Sequence, residues 1–289
     1  MSLEIWCSVH LLSISHRSGL TSSNHPPNST SNNMSTITIP KTHRAVTTVT
    51  EPKGYKIITK PLPVPADDEI LVNVRAASLN RTDRKGLYIF NRAKDGNFVG
   101  NDFAGDVVHL GKGAVGKGVK LGDAVAGFVM AHRDPANSGF QECVKVLVFP
   151  KGNISYQQAA PFGIALSTTV QAVHHRLELP TPWAPAKEAF PILIWGCSTA
   201  VGIYAIKLAK LSGFLVAMNQ DNSVLMLCST ISADFAKLSN WYRKAPAYLS
   251  ELNVIPIKVW ENGLDGGPDA LEYLKTGKAS AQKIVLNVS

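Results

Sequence analysis

A chain of 289 residues that is 45% hydrophobic and 17% charged has an ordinary globular composition, with apolar material for two modest cores. Its formal charge of +8 comes from basic residues scattered along the chain, never a run interleaved with aromatics, which argues against nucleic-acid binding. No apolar run approaches the ~20 residues of a membrane-spanning helix, and Cys7, Cys143, Cys197 and Cys228 stand too far apart for a disulfide framework or a zinc knuckle, so a reducing, cytoplasmic setting is expected.

Residues 1–33 close in the Ser/Asn/Pro tract Thr21 to Asn33, too polar to bury anything, and read as a disordered or artefactual extension ahead of Met34. From Thr36 to about Pro150 the pattern is short alternating stretches split by turn residues: 55–58, 69–77, 104–111, 123–128 and 143–148. Period-two alternation at that spacing predicts a small, twisted β-barrel-like domain. Pro61 to Pro65 is an extended connector, because each proline denies a ladder donor.

Near residue 155 the period changes. Ser155 is a candidate N-cap, and Gly163 to Leu177 is compatible with one helix leading into a second domain. Phe190 to Trp195, an apolar run stopping at Gly196, reads as a buried parallel strand. Ile203, Ile206, Leu208 and Ala209 then recur at helical spacing after a Gly/Ser/Thr turn, which completes the first βα unit of a dinucleotide-binding fold. Gly196 permits the tight turn, Ser198 and Thr199 offer hydroxyls and backbone donors to a pyrophosphate, and Gly202 lets helix and strand approach closely. With Ala200 and Val201 these are the candidate cofactor-binding residues. Ser198 stands where the motif's middle glycine would be, and a strand-to-helix turn that binds no nucleotide has the same outline.

Asn101-Asp102-Phe103-Ala104-Gly105 through Gly111 is similar to the "G-x-D-F-A-G" signature of the medium-chain dehydrogenase/reductase superfamily, and Lys120 to Gly127 resembles the turn and strand that follow it. Leu79 to Lys85 resembles the family's "L-N-P-T-D-W-K" active-site loop, and 255–260, 263–264, 270–278 and 283–288 resemble its closing segment. The resemblance lies with the zinc-independent, fungal-type trans-enoyl reductase and quinone oxidoreductase-like branch. It implies an α/β plus β architecture: a GroES-like β-barrel domain with a Rossmann-type dinucleotide-binding domain. Zinc relatives carry a cysteine near position 80 and a Gly-His-Glu motif in the barrel; neither is present, so no metal ligand is assigned.

The branch implies hydride transfer from NADP(H), with NAD(H) as the alternative, to an enoyl thioester or enone, and a polyketide synthase as partner. Asn80, Thr82 and Lys85 are then the candidate catalytic residues, the polar surface meeting charge that develops on the substrate, with Lys85 supplying charge or a proton. A solvated loop lysine would look the same at position 85, and Arg81 and Arg84 replace residues usual in the family. Thr168 and Thr169 either line the nicotinamide side or face the core; Thr169 is counted among the cofactor candidates.

The second domain looks abbreviated. A full doubly wound domain needs about six strands with crossovers, and roughly three strands, on the order of 80 to 100 residues, have no room here. Expected boundaries are 34–160 for the barrel part, 161–232 for a truncated nucleotide-binding domain and 233–289 for the return to the barrel. Phe214 to Met218 reads as a second strand and Val224 to Cys228 as a third, the latter a candidate intersubunit edge; the assembly state stays open. Losing neighbours should leave an apolar edge uncovered. Asp221 falls where relatives carry a base for the 2′-phosphate, and an acid there favours an unphosphorylated ribose. A quinone reductase and a non-catalytic GroES-like binding remnant are the alternatives to an enoyl reductase.

Overall fold

The computed structural model describes residues 40–89, 94–115, 118–131, 137–146, 149–150, 152–219 and 235–288, all within the unit Ile39–Ser289. The expectations for residues 1–33, Asp221 and Val224 to Cys228 lie outside the described residues.

Strands Thr42–Thr50 (β1) and Lys53–Pro61 (β2) form a hairpin in unbroken antiparallel register. Ile70–Ser78 (β3) organises the larger sheet. Helix Arg81–Tyr88 (α1) follows it directly. Asp102–Leu110 (β4) pairs antiparallel along the length of β3, and Ala124–Phe128 (β5) continues beyond β4. Cys143–Val146 (β6) takes the first half of the other β3 edge, and Phe149–Pro150 (β7) pairs with β5.

Helices Tyr156–Ala159 (α2) and Gly163–Val170 (α3) come next. Ser155 caps α2 as its sequence suggests, accepting from the Gln158 N–H at 3.2 Å while Gln158 Oε1 accepts from the Ser155 N–H at 3.0 Å. Pro191–Trp195 (β8), Ala200–Leu211 (α4) and Leu215–Asn219 (β9) form a parallel β-α-β unit with Pro191 opposite Leu215. The chain then returns through Phe235–Lys244 (α5) and Leu249–Leu252 (α6) to Ile257–Trp260 (β10), Gly267–Tyr273 (α7) and Lys283–Asn287 (β11). Strand β11 is parallel to β10 and pairs antiparallel with the second half of β3.

The two faces of β3 and β4 are both covered, for different reasons. Val72, Val74, Phe103, Val107, Val125, Val144, Ile284 and Leu286 fill the barrel interior; each such side chain contributes roughly 1.5–3 kcal/mol when fully buried. On the opposite face Ala76, Ala104 and Ala126 stand side by side across three strands, each fully buried. That row of methyl groups lets Phe162, Ala165 and Leu166 of the α3 region approach the sheet, with Trp241, Leu249 and Leu252 packed in the same cluster.

Three expectations are corrected. The stretch 163–177 is not one regular helix: α3 gives way to a π-helical segment at Gln171–Arg176. The Thr169 hydroxyl donates back to the Ala165 carbonyl at 3.0 Å, a bond that competes with the helix's own ladder. The segment expected as an active-site loop is instead helix α1 from Arg81 onward, because Asp83 at its third position accepts the Asn80 N–H at 2.7 Å. Strand β8 is not buried on both faces. Ile192 and Ile194 pack with Ala205, Ala209 and Phe214, whereas Leu193 is 61% and Trp195 40% exposed, with Leu215 of β9 at 60%. Among the described residues this sheet has two strands and a helix on one face, and the other face keeps its apolar side chains in solvent.

Candidate active site

Two places carry the polar chemistry, and α3 connects them. The first is the start of α1. Asp83 and Leu87 are its buried anchors, Thr82 is exposed and Lys85 half-buried, so the last two lie on the side that faces away from the core. Arg84 lies over the Tyr88 ring at 4.4 Å.

Asn80, just ahead of the helix, is held on both side-chain atoms. Its Nδ2 donates to Asp102 Oδ2 at 2.8 Å, and its Oδ1 accepts from Lys283 Nζ at 2.7 Å. Lys283 is 5% and Asp102 0% exposed, and they pair at 3.2 Å. The remaining Asp102 oxygen accepts the Ile164 N–H at 2.7 Å, and Asn101 Nδ2 donates to Asp83. Burial pushes the Asp83 carboxyl up to about 7, with the neighbouring Asp102 charge adding to it. Burial also raises Asp102, against the pull of Lys283. Two carboxylates facing one ammonium in a dry site thus hold a proton more readily than either would in water.

The second place is the turn between β8 and α4. Gly196 has φ +74°, the left-handed region that favours glycine. A Cβ at Gly202 would lie 2.3 Å from the Gly196 carbonyl oxygen and 2.8 Å from Cys197 Cα, so helix and turn close on each other only because residue 202 has none. Thr199 caps α4: its hydroxyl accepts the Gly202 N–H at 3.0 Å and donates to the Gly196 carbonyl at 2.8 Å. Its own N–H is bonded to the same carbonyl at 3.1 Å. Thr199 therefore shapes the turn, and the donors the helix start presents outward are the Ala200 and Val201 N–H groups, which lack an intrahelical acceptor. Ser198 is half-buried beside them. Thr169, by contrast, is fully buried, and its single hydroxyl proton is shared between the Ala165 and Val201 carbonyls, each 3.0 Å away. It ties α3 to the first turn of α4 rather than presenting a free hydroxyl; Thr168 is 8% exposed.

Asp83, Asn101, Asp102 and Lys283 escaped the reading of the sequence as site residues. Asp83 falls within the Leu79–Lys85 motif and Asn101-Asp102 open the Asn101–Gly111 signature, so motif membership was the signal for those three; Lys283 only opens the apolar run Ile284 to Leu286. Among the described residues no three His, Cys, Asp or Glu side chains converge as metal ligands. No described helix is long and apolar enough to cross a membrane.

The alcohol dehydrogenase GroES-like domain family matches residues 66–177, which span β3 through the π-helical segment. Trans-enoyl reductase TOXD of Cochliobolus carbonum is 35% identical over 199 residues, covering 66% of this chain and 65% of its own length. The trans-enoyl reductase xenG of Xenoacremonium sinensis is 38% identical over 189 residues, covering 61% of this chain and 50% of its own. Over the matched residues the chain resembles these reductases of the medium-chain dehydrogenase/reductase superfamily. It spans about half to two thirds of the length of those curated relatives. Solved medium-chain reductases share the fold: the quinone oxidoreductase of Coxiella burnetii superposes with a TM-score of 0.61 at 21% identity, over 86% of this chain and 100% of its own. JamJ enoyl reductase superposes with a TM-score of 0.64 at 13% identity, over 85% and 99%.

Proposed function

We propose that the chain is an NADP(H)-dependent reductase of activated carbon–carbon double bonds, working without zinc on an enoyl thioester or enone. The observation that carries this is the Gly196–Gly202 turn, where a missing Cβ lets the α4 N-terminus close on the strand end and aim its free N–H groups outward. The turn fits a dinucleotide pyrophosphate, held by Gly196, Ser198, Ala200, Val201 and Gly202, with Thr199 shaping the cradle. When bound, the nicotinamide supplies the hydride. Thr82 and Lys85, on the outward side of α1, meet negative charge developing at the substrate carbonyl, and Lys85 delivers a proton. Asn80 has both side-chain atoms engaged, so its part is to hold the start of that helix.

The barrel part takes residues 34–160, the abbreviated nucleotide-binding part 161–232, and the return 233–289. The relatives' greater length supports an abbreviated second part, and among the described residues the β8–β9 sheet has two strands. Relatives named as trans-enoyl reductases support a polyketide synthase as the source of the acyl chain, and the buried free thiols of Cys143 and Cys197 suit a cytoplasmic setting.

The test is fluorescence titration with NADPH and NADH, followed by the loss of nicotinamide absorbance with an enoyl thioester and with a quinone. Tighter binding of NADPH and turnover of the thioester are expected. Turnover of the quinone alone would move the assignment to a quinone reductase. Failure to bind either dinucleotide at millimolar concentration would leave a non-catalytic binding domain, a reading the uncovered face of β8 and β9 favours.

A further inference from the structure

We propose that Lys283 and Asp102 form a positioning pair that holds the helix bearing Thr82 and Lys85 in register with the dinucleotide turn, a role that rests on the reductase reading above. Every N–H of the Lys283 ammonium has an acceptor: the Leu79 carbonyl at 3.0 Å, Asn80 Oδ1 at 2.7 Å and Asp102 Oδ2 at 3.2 Å. Asp102 receives Asn80 Nδ2 on one oxygen and the Ile164 N–H on the other. One buried pair therefore clamps the residues ahead of α1, the first residue of β4, the first turn of α3 and the first residue of β11. Further along α3, the Thr169 hydroxyl donates to the Val201 carbonyl in the first turn of α4. Hydrogen bonds and a single helix thus run without a break from the start of α1 to the turn that fits the pyrophosphate.

Stability alone is a poor account of the pair. Desolvating two charges offsets most of their attraction, and an apolar pair of similar volume often serves the fold as well or better. What the charged pair supplies and an apolar one does not is direction: three fixed acceptors for the ammonium, and a helix N–H for the carboxylate. Direction matters to a reaction in which displacement of about 1 Å lowers the rate about 10²-fold.

The experiment compares the full chain with the neutral double variant Asp102→Asn/Lys283→Met and with Lys283→Arg. Melting temperature, NADPH dissociation constant, and kcat and KM on an enoyl thioester are read for each. A folded double variant should bind NADPH within about twofold of the unaltered chain, keep KM, and lose kcat by at least about tenfold. Lys283→Arg keeps the charge, but its planar fork cannot meet all three acceptors from the same Cα, so it should keep its fold and lose part of kcat. The Arg variant decides the matter if the double variant does not fold. Unaltered kcat in either folded variant would overturn the positioning role while leaving the reductase reading intact. An unaltered chain that binds no dinucleotide would overturn the reductase reading, and this role with it.

Discussion

Asp102 and Gly163 compete for one space: a Cβ on residue 163 would lie 2.3 Å from Asp102 Oδ1 and 3.0 Å from the Gly127 carbonyl oxygen. The carboxylate reaches the Ile164 N–H at 2.7 Å only because residue 163 carries no side chain. Gly163→Ala must therefore push α3 off the sheet or break that bond. A loss of roughly 1–3 kcal/mol in urea unfolding is expected; unchanged stability would mean the carboxylate does not anchor the helix.

At the other end of α3, Gly202→Ala tests the dinucleotide turn. Its Cβ would meet the Gly196 carbonyl oxygen at 2.3 Å, backbone that cannot step aside as a side chain can. The barrel interior lies elsewhere, so the melting transition should survive while NADPH affinity falls roughly tenfold or more. Equal affinity in a titration would remove the turn from the binding site.

Lys85 is exposed enough to be replaced without disturbing the core. Lys85→Ala should lower kcat about 10²-fold or more if the side chain supplies a proton or charge, with NADPH affinity and melting temperature unchanged. A kcat within about twofold of the unaltered chain would make it a solvated surface lysine.

Asp83 makes stability depend on pH in a direction opposite to the usual acidic residue. Its carboxyl is raised to about 7 in the fold by burial, against 3.8 unfolded, so between pH 4 and 7 the folded chain binds more protons than the unfolded chain. That contribution is fully present below pH 4 and is lost as pH rises to 7. His43, lowered by burial from 6.5 to about 4, acts with the opposite sign over most of that window, from pH 4 to 6.5. The informative quantity is therefore the difference between Asp83→Asn and the unaltered chain. The variant should gain relative stability steadily from pH 4 to 7 and then level off; a flat difference in melting temperature would contradict the raised carboxyl.

Among the described residues, Leu193 projects from the uncovered face of the β8–β9 sheet. Leu193→Gln should leave unfolding within about 0.5 kcal/mol of the unaltered chain and reduce association seen by light scattering. Marked destabilisation would mean that something covers that face.

Local signals carried much of this protein. Alternation fixed by the pleat placed β2 to β6, and the Ser155 cap, the β8–α4–β9 order and Gly202 could all be read along the chain, because each depends on residues within a few positions of one another. The family resemblance came from the same short motifs. What the chain alone did not reveal are contacts between residues far apart in sequence. Lys283 and Asp102 are separated by 181 positions, and nothing local distinguishes a buried, triply bonded lysine from one that opens a strand at the surface. Thr169 looked equally suited to ligand and core until α4 was placed against it. Burial of β8 failed for the same reason: an apolar strand says that it should be covered, and only the packing of its neighbours decides on how many faces it is.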